Sequence, residues 1–193
     1  MNTMPSLSSQ RGVSLIEVLI TMVVVAFGLL GLAAFQAKAQ VGSIESYQRA
    51  QAAVLLQDMQ SRLSGNSANA ADYKTANPLG TGSTVGDDCA TVAAGAARDL
   101  CEWSAALKGA AEERADGNKA GAMEGARGCV ELVRAADASP GVCVPAVYLV
   151  TVAWQGMHET RAPSQSCGRD AYGPDTNRRA VSARVAIGLP GCI

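Results

Sequence analysis

The sequence predicts an α+β fold in which one long N-terminal helix packs against a small antiparallel sheet. Three observations carry that expectation. Twenty residues between Glu17 and Lys38 bear no charge, an apolar repeat at helical spacing continues them to Leu63, and three segments late in the chain alternate between apolar and polar residues.

Composition limits how such a fold is held together. The chain has 193 residues, a formal net charge of -1 and a pI near 5.8. That balance argues against a strongly basic surface, so nucleic acid is not an expected partner. Aromatic residues make up only 4% of the chain while glycine occurs 20 times, so the core must be built from small aliphatic side chains. Six cysteines, Cys89, Cys101, Cys129, Cys143, Cys167 and Cys192, all follow the apolar stretch, where a thin core most needs covalent support.

At about 1.5 Å of rise per residue, the uncharged stretch spans roughly 30 Å as a helix, the thickness of a bilayer's hydrocarbon core. Arg11 precedes it, which places the N-terminus in the cytoplasm and the cysteines in an oxidising compartment. A secretory signal peptide cut after Ala39, in Ala37-Lys38-Ala39, is the rival reading. Against it stand the length of the run, a leader with one basic side chain, and Glu17 just inside the run's edge. The helical pattern also passes residue 40. Val41, Ile44, Tyr47, Leu55, Met59 and Leu63 recur mostly in steps of three and four, with Gln48, Arg49, Gln57, Asp58 and Arg62 between them, as in an amphipathic helix. Gly28, Gly31 and Gly42 are candidate bend points, each costing about 1 kcal/mol relative to alanine. The first turn signal is Ser64-Gly65-Asn66, so one helix of about fifty residues is expected.

Glu17 admits two roles. Ser14-Leu15-Ile16-Glu17 fits a capping box, which favours a carboxylate near the positive end of a helix. Capping does not explain its entry into a lipid-facing run, where a carboxylate is costly unless paired. Gly12-Val13-Ser14-Leu15-Ile16-Glu17 resembles the class III leader of type IV pilins and type II secretion pseudopilins. In that class a prepilin peptidase cuts after the glycine, methylates the new N-terminus and leaves the helix in place. The resemblance implies a mature chain beginning at Val13, methylated there, with Glu17 as its fifth residue paired to the amine of Val13, its own or a neighbour's. Val13 departs from the usual phenylalanine and Ser14 from the common threonine. The chain then divides into a leader (1–12), a transmembrane and assembly half-helix (13–40) and a periplasmic head (41–193).

Residues 66–88, rich in Asn, Ser, Gly and Thr, read as an irregular connection. Its run Gly80-Thr81-Gly82-Ser83-Thr84-Val85-Gly86 has the wrong spacing for a nucleotide fingerprint. Residues 96–114 are helix-prone, with Leu100, Trp103 and Leu107 on one face. Strand signals follow at 129–134, 147–154 and 179–187, with Ser139-Pro140-Gly141 as a turn. Tyr148, Val150, Val152 and Trp154 share one face, and Val181, Val185 and Ile187 repeat the alternation.

The helix with Gly28-Leu-Leu-Gly-Leu-Ala33, the segment Tyr148-Leu-Val-Thr-Val-Ala-Trp-Gln-Gly156, and Ser166-Cys-Gly168 with Tyr172-Gly173 and Arg178-Arg179 resemble the PilV-type minor pilins, also called pilus modification proteins. That resemblance implies a pilin-like lollipop and a place in the initiation complex or tip of a type IV pilus, in motility and adhesion. Its partners would be prepilin peptidase, other minor pilins, the major pilin and, before assembly, the inner membrane. A type II secretion minor pseudopilin is the alternative, and a secreted binding domain a more distant one.

Six cysteines allow fifteen pairings. Cys89 and Cys101 cannot bond along an uninterrupted helix, since twelve residues rise about 18 Å and a disulfide needs Cα atoms within about 7 Å; a break near Gly95 permits it. Sequential pairing is expected, 89 with 101, 129 with 143 and 167 with 192, the last closing a C-terminal loop as in many pilins. No catalytic residues, cofactor or metal site is expected: there is one histidine, His158, no Gly-x-Ser-x-Gly elbow and no Cys-x-x-Cys pair. Arg161, Arg169, Arg178, Arg179 and Arg184, interspersed with Glu159, Asp170 and Asp175, read as a solvated or intersubunit face.

Overall fold

The computed structural model describes residues 12–86, 88–109 and 123–189. Helix α1 runs without interruption from Leu15 to Gly65, 51 residues, so Gly28, Gly31 and Gly42 do not end it. Contacts divide the chain after Ser43 into two compact units. In the first, every large apolar side chain from Val13 to Phe35 is at least 39% exposed, and α1 is long and apolar enough to cross a membrane.

The second unit holds the end of α1, a short strand β1 (Leu79–Gly80), helix α2 (Ala96–Leu107), and strands β2 (Arg127–Arg134), β3 (Ala146–Gln155) and β4 (Arg178–Ile187). The strands form one antiparallel sheet in the order β1-β2-β3-β4. The three expected strands are present, each one or two residues longer than its pattern suggested. β1 lies inside the stretch read as irregular, and so does a 3₁₀ segment, Ser67–Tyr73, that buries Ala70 and Tyr73. Helix α2 stops at Leu107 rather than 114, because Gly109 adopts a left-handed φ of 84° that a continuing helix excludes; residues 110–114 lie outside the described residues.

The core forms where the last turns of α1 and helix α2 meet one face of the sheet. Ala52, Leu56, Met59 and Leu63 of α1 join Trp103 and Leu107 of α2, Val130 of β2 and Tyr148, Val150, Val152 and Trp154 of β3. Met59 and Leu63 are buried as the sequence suggested and Leu55 packs against the core, but in the earlier turns the buried face shifts: Gln48 is buried, while Ile44 and Tyr47 are exposed. Trp103 fixes the layering. It is wholly buried, its indole N–H donates to the Leu55 carbonyl (2.9 Å), and its ring lies so close to β2 that a Cβ on Gly128 would sit 2.3 Å from it. A polar cluster closes the end of α1. Arg62 binds Asp58 (3.0 Å) on its own helix and Asp99 (3.0 Å) and Glu102 (2.6 Å) on α2, and the Tyr73 hydroxyl donates to Asp99. Burial and that bond to Asp99 both push the Tyr73 phenol above its ordinary value.

The opposite face of the sheet is covered over part of its length by residues 163–173. Their anchor is a Cys129–Cys167 disulfide, with Cα atoms 5.8 Å apart. This overturns two expected pairings, 129 with 143 and 167 with 192. Cys129 stands opposite Thr151, five residues down β2 from Arg134, and at about 3.4 Å per residue that is roughly 17 Å from the hairpin end near Cys143. Cys143 is disulfide-bonded, and Cys192 lies outside the described residues. The Cys89–Cys101 pair does form, with Cα atoms 5.7 Å apart, because α2 begins only after Gly95, whose φ of 111° turns the chain.

Candidate functional site

At the N-terminus, Gly12, Val13 and Ser14 precede the helix and are exposed. Gly12 has neither a positive φ nor, among the described residues, any neighbour within 4 Å of a notional Cβ, so nothing described in the fold calls for a glycine there. The Ser14 carbonyl accepts from the Glu17 N–H (3.0 Å) and the Val18 N–H (3.3 Å), which opens α1. The other half of the capping box is not formed: among the described residues neither the Ser14 hydroxyl nor the Glu17 carboxylate has a hydrogen-bond partner. Glu17 thus stands exposed, with no partner among the described residues, on a helix whose neighbouring side chains are mostly apolar.

In the head, the side chains that sequence reasoning grouped as a surface arginine cluster have separate tasks. Arg178 is completely buried. Its guanidinium binds both oxygens of Asp175 (2.6 and 2.9 Å) and donates to the carbonyls of Gln165 (2.6 Å), Cys167 (3.0 Å) and Pro163 (3.0 Å). It therefore organises residues 163–175 from within, and in turn holds the Asp175 carboxyl below the usual carboxylate range. Arg179 is also buried, reaching Glu45 of α1 (3.3 Å) and the His158 carbonyl (2.5 Å). His158 is a surface residue as expected, but its Nδ1 lies 3.1 Å from the same Glu45, so the 156–161 loop is tied to the helix. Arg161, Arg169 and Arg184 are exposed. Tyr172 donates to the Gly125 carbonyl (2.8 Å), and burial pushes its phenol up to about 12 against the opposing effect of Arg127.

Residues 7–33 match the family model of the prokaryotic N-terminal methylation motif. The chain therefore carries the N-terminus of type IV pilin and pseudopilin-type proteins, and the motif implies processing by prepilin peptidase and assembly with other pilin-type subunits. The match ends at Ala33 within α1 and leaves the rest of the chain unassigned. No curated protein and no solved structure matches the chain.

The methylation motif draws together Gly12, Val13 and Glu17, whereas the cysteines belong to the head. The glycine run after the motif-bearing helix has a folding role: Gly80, with a φ of 92°, leaves only 2.5 Å between a notional Cβ and the Ala126 carbonyl oxygen, and its N–H donates to Ser104 (3.1 Å). The buried roles of Arg178 and Arg179 were missed from sequence. A trace of them exists in the adjacent pair itself, since neighbouring residues on a strand point to opposite faces and one of two arginines must then face inward or be covered.

Proposed function

We propose that this chain is a PilV-type minor pilin, a non-catalytic subunit that takes part in priming a type IV pilus and in forming its tip. Prepilin peptidase cuts after Gly12 and methylates Val13. The apolar half of α1 then holds the subunit in the inner membrane with the head in the periplasm until it enters the fibre, where other minor pilins and the major pilin surround it. No cofactor or metal takes part.

The observation that carries this reading is the methylation motif followed at once by an exposed apolar helix bearing an unpaired carboxylate. A carboxylate at the edge of a bilayer is costly without a counter-charge. Among the described residues none faces Glu17, and cleavage after Gly12 creates an amine four residues away. Gly28 and Gly31, with nothing within 4 Å of a notional Cβ among the described residues, support close approach of a neighbouring helix in the assembled fibre.

Glu17→Ala and Glu17→Gln test it. Both variants are expected to be inserted and cut normally yet missing from sheared pili. Glutamine keeps capping geometry without the charge, so normal recovery of Glu17→Gln in pili would refute the ion-pair role. A wild-type chain found only with a secretion pseudopilus would replace the minor-pilin reading by the pseudopilin one.

A further inference from the structure

The covered arginines of the head differ in what meets them. Arg62, Arg178 and Arg179 each bind a carboxylate, and the half-buried Arg98 donates twice to the Val92 carbonyl (2.9 and 2.7 Å). Among the described residues Arg127 has neither kind of partner. It is half-buried at the start of β2, its guanidinium lies over the Tyr172 ring, 5.8 Å from the centroid, and its Nε is buried without a hydrogen-bond partner. A desolvated guanidinium that lacks an acceptor is costly, and an oxyanion beside it removes that cost.

Arg127 borders an open cavity of about 610 Å³ between the 74–85 segment and α2. Lys74 borders it too, exposed and with no partner for its ammonium among the described residues. The described lining holds no carboxylate, so two cations share one space. Gly82, in the glycine run 80–86, keeps the guanidinium clear, since a Cβ there would lie 3.4 Å from both Nη1 and Nη2 of Arg127. Ala97, in the first turn of α2, also lines the cavity, which adds the positive end of that helix. The rest of the wall is apolar at Leu79, Val85 and Leu100 and polar but neutral at Asn77 and Thr84. Its volume is that of a small-molecule site.

We propose that this cavity binds a small organic oxyanion, a carboxylate or a phosphate ester, with its acid group on Arg127 and Lys74 and its body against Leu79, Val85 and Leu100. Arg127 is the main anchor. The Tyr172 ring holds its guanidinium from one side, so little freedom is lost when a planar or tetrahedral acid group binds. Lys74 is exposed and screened by solvent, so it contributes less. The site lies wholly in the head and goes beyond the pilin reading, whose failure would appear at the mature N-terminus and not in this cavity.

Residue-resolved amide shifts of the full chain in non-ionic detergent micelles, titrated with pentanoate, butyl phosphate and the uncharged pentanamide, test the site. Both anions should shift the amides of Gly82, Thr84 and Arg127 saturably, and pentanamide should not. The anion that binds more tightly identifies the acid group. Arg127→Gln should weaken binding about tenfold or more, as expected for loss of a charged hydrogen bond. Lys74→Gln should weaken it about threefold, and Arg184→Gln, at an exposed arginine outside the cavity, should leave it unchanged. The proposal is overturned if neither anion gives a saturable shift at these amides, if pentanamide matches pentanoate, or if binding survives both cavity substitutions undiminished. Should Arg127→Gln fail to fold, Lys74→Gln and the wild-type contrast between pentanoate and pentanamide decide the matter.

Discussion

Replacing Cys129 and Cys167 together by alanine removes the covalent tie between β2 and the segment that covers the outer face of the sheet. The bridged residues are 38 apart, and the loop-closure entropy of such a ring corresponds to about 3.9 kcal/mol at 25 °C. The Cys89–Cys101 bridge spans 12 residues and corresponds to about 2.8 kcal/mol. Arg178 still holds the carbonyls of Pro163, Gln165 and Cys167 in the double variant, so the head is expected to remain folded but less stable. For a unit of this size, the larger loss corresponds to a drop of about 8–15 °C in midpoint. Near-ultraviolet circular dichroism of Trp103 and Trp154, both buried, follows head unfolding in the full chain in detergent without interference from α1. Non-reducing peptide mapping of the wild type should recover the 129–167 and 89–101 linkages, with Cys143 in a third. A double variant within about 1 kcal/mol of wild type, or one less damaged than the Cys89/Cys101 double variant, would refute the reasoning from loop length.

Other expectations concern single side chains. Asp175 has its carboxyl held low by Arg178, so its contribution is complete above the ordinary aspartate value and is lost as pH falls through the depressed folded value. Acid below about pH 4 should therefore speed amide hydrogen exchange in the 160–173 segment beyond the intrinsic pH effect, and Asp175→Asn should show that loss of protection already at neutral pH, with little further change on acidification. Gly128→Ala places a methyl group against the Trp103 ring and is expected to cost about 1–3 kcal/mol in thermal unfolding, whereas the same substitution at Gly86, with nothing nearby, should be close to neutral; equal effects would show that the α2–β2 approach is looser than described.

What could be read from the sequence was whatever depends on local periodicity. The extent of α1, the three strands and the buried row Tyr148, Val150, Val152 and Trp154 repeat at short range and were found as expected. What could not be read depends on contacts distant in sequence. The phase of α1 turns on which face Trp103 grips, forty-eight residues from Leu55, and a stripe of mixed alanine and glutamine does not announce it. Cysteine pairing is set by which segment lies over β2, which is why a bridge from Cys129 to the 163–173 segment replaced 129 with 143 and 167 with 192, while 89 with 101 formed as expected. β1 is only two residues long and exists because Gly80 fits between Ala126 and Leu107. At the N-terminus the methylation motif, which matches residues 7–33, was legible because it is a local pattern, and among the described residues the fold gives Gly12, Val13 and Glu17 no side-chain partner.

The mature N-terminus, determined by intact mass and N-terminal sequencing of the chain recovered from membranes, tests the central claim most directly. A chain that begins at Val13 and carries one extra methyl group is the expected result. A chain that begins at Gln40, cut after Ala39 as a secretory signal would be, or one that still begins at Met1, would contradict it.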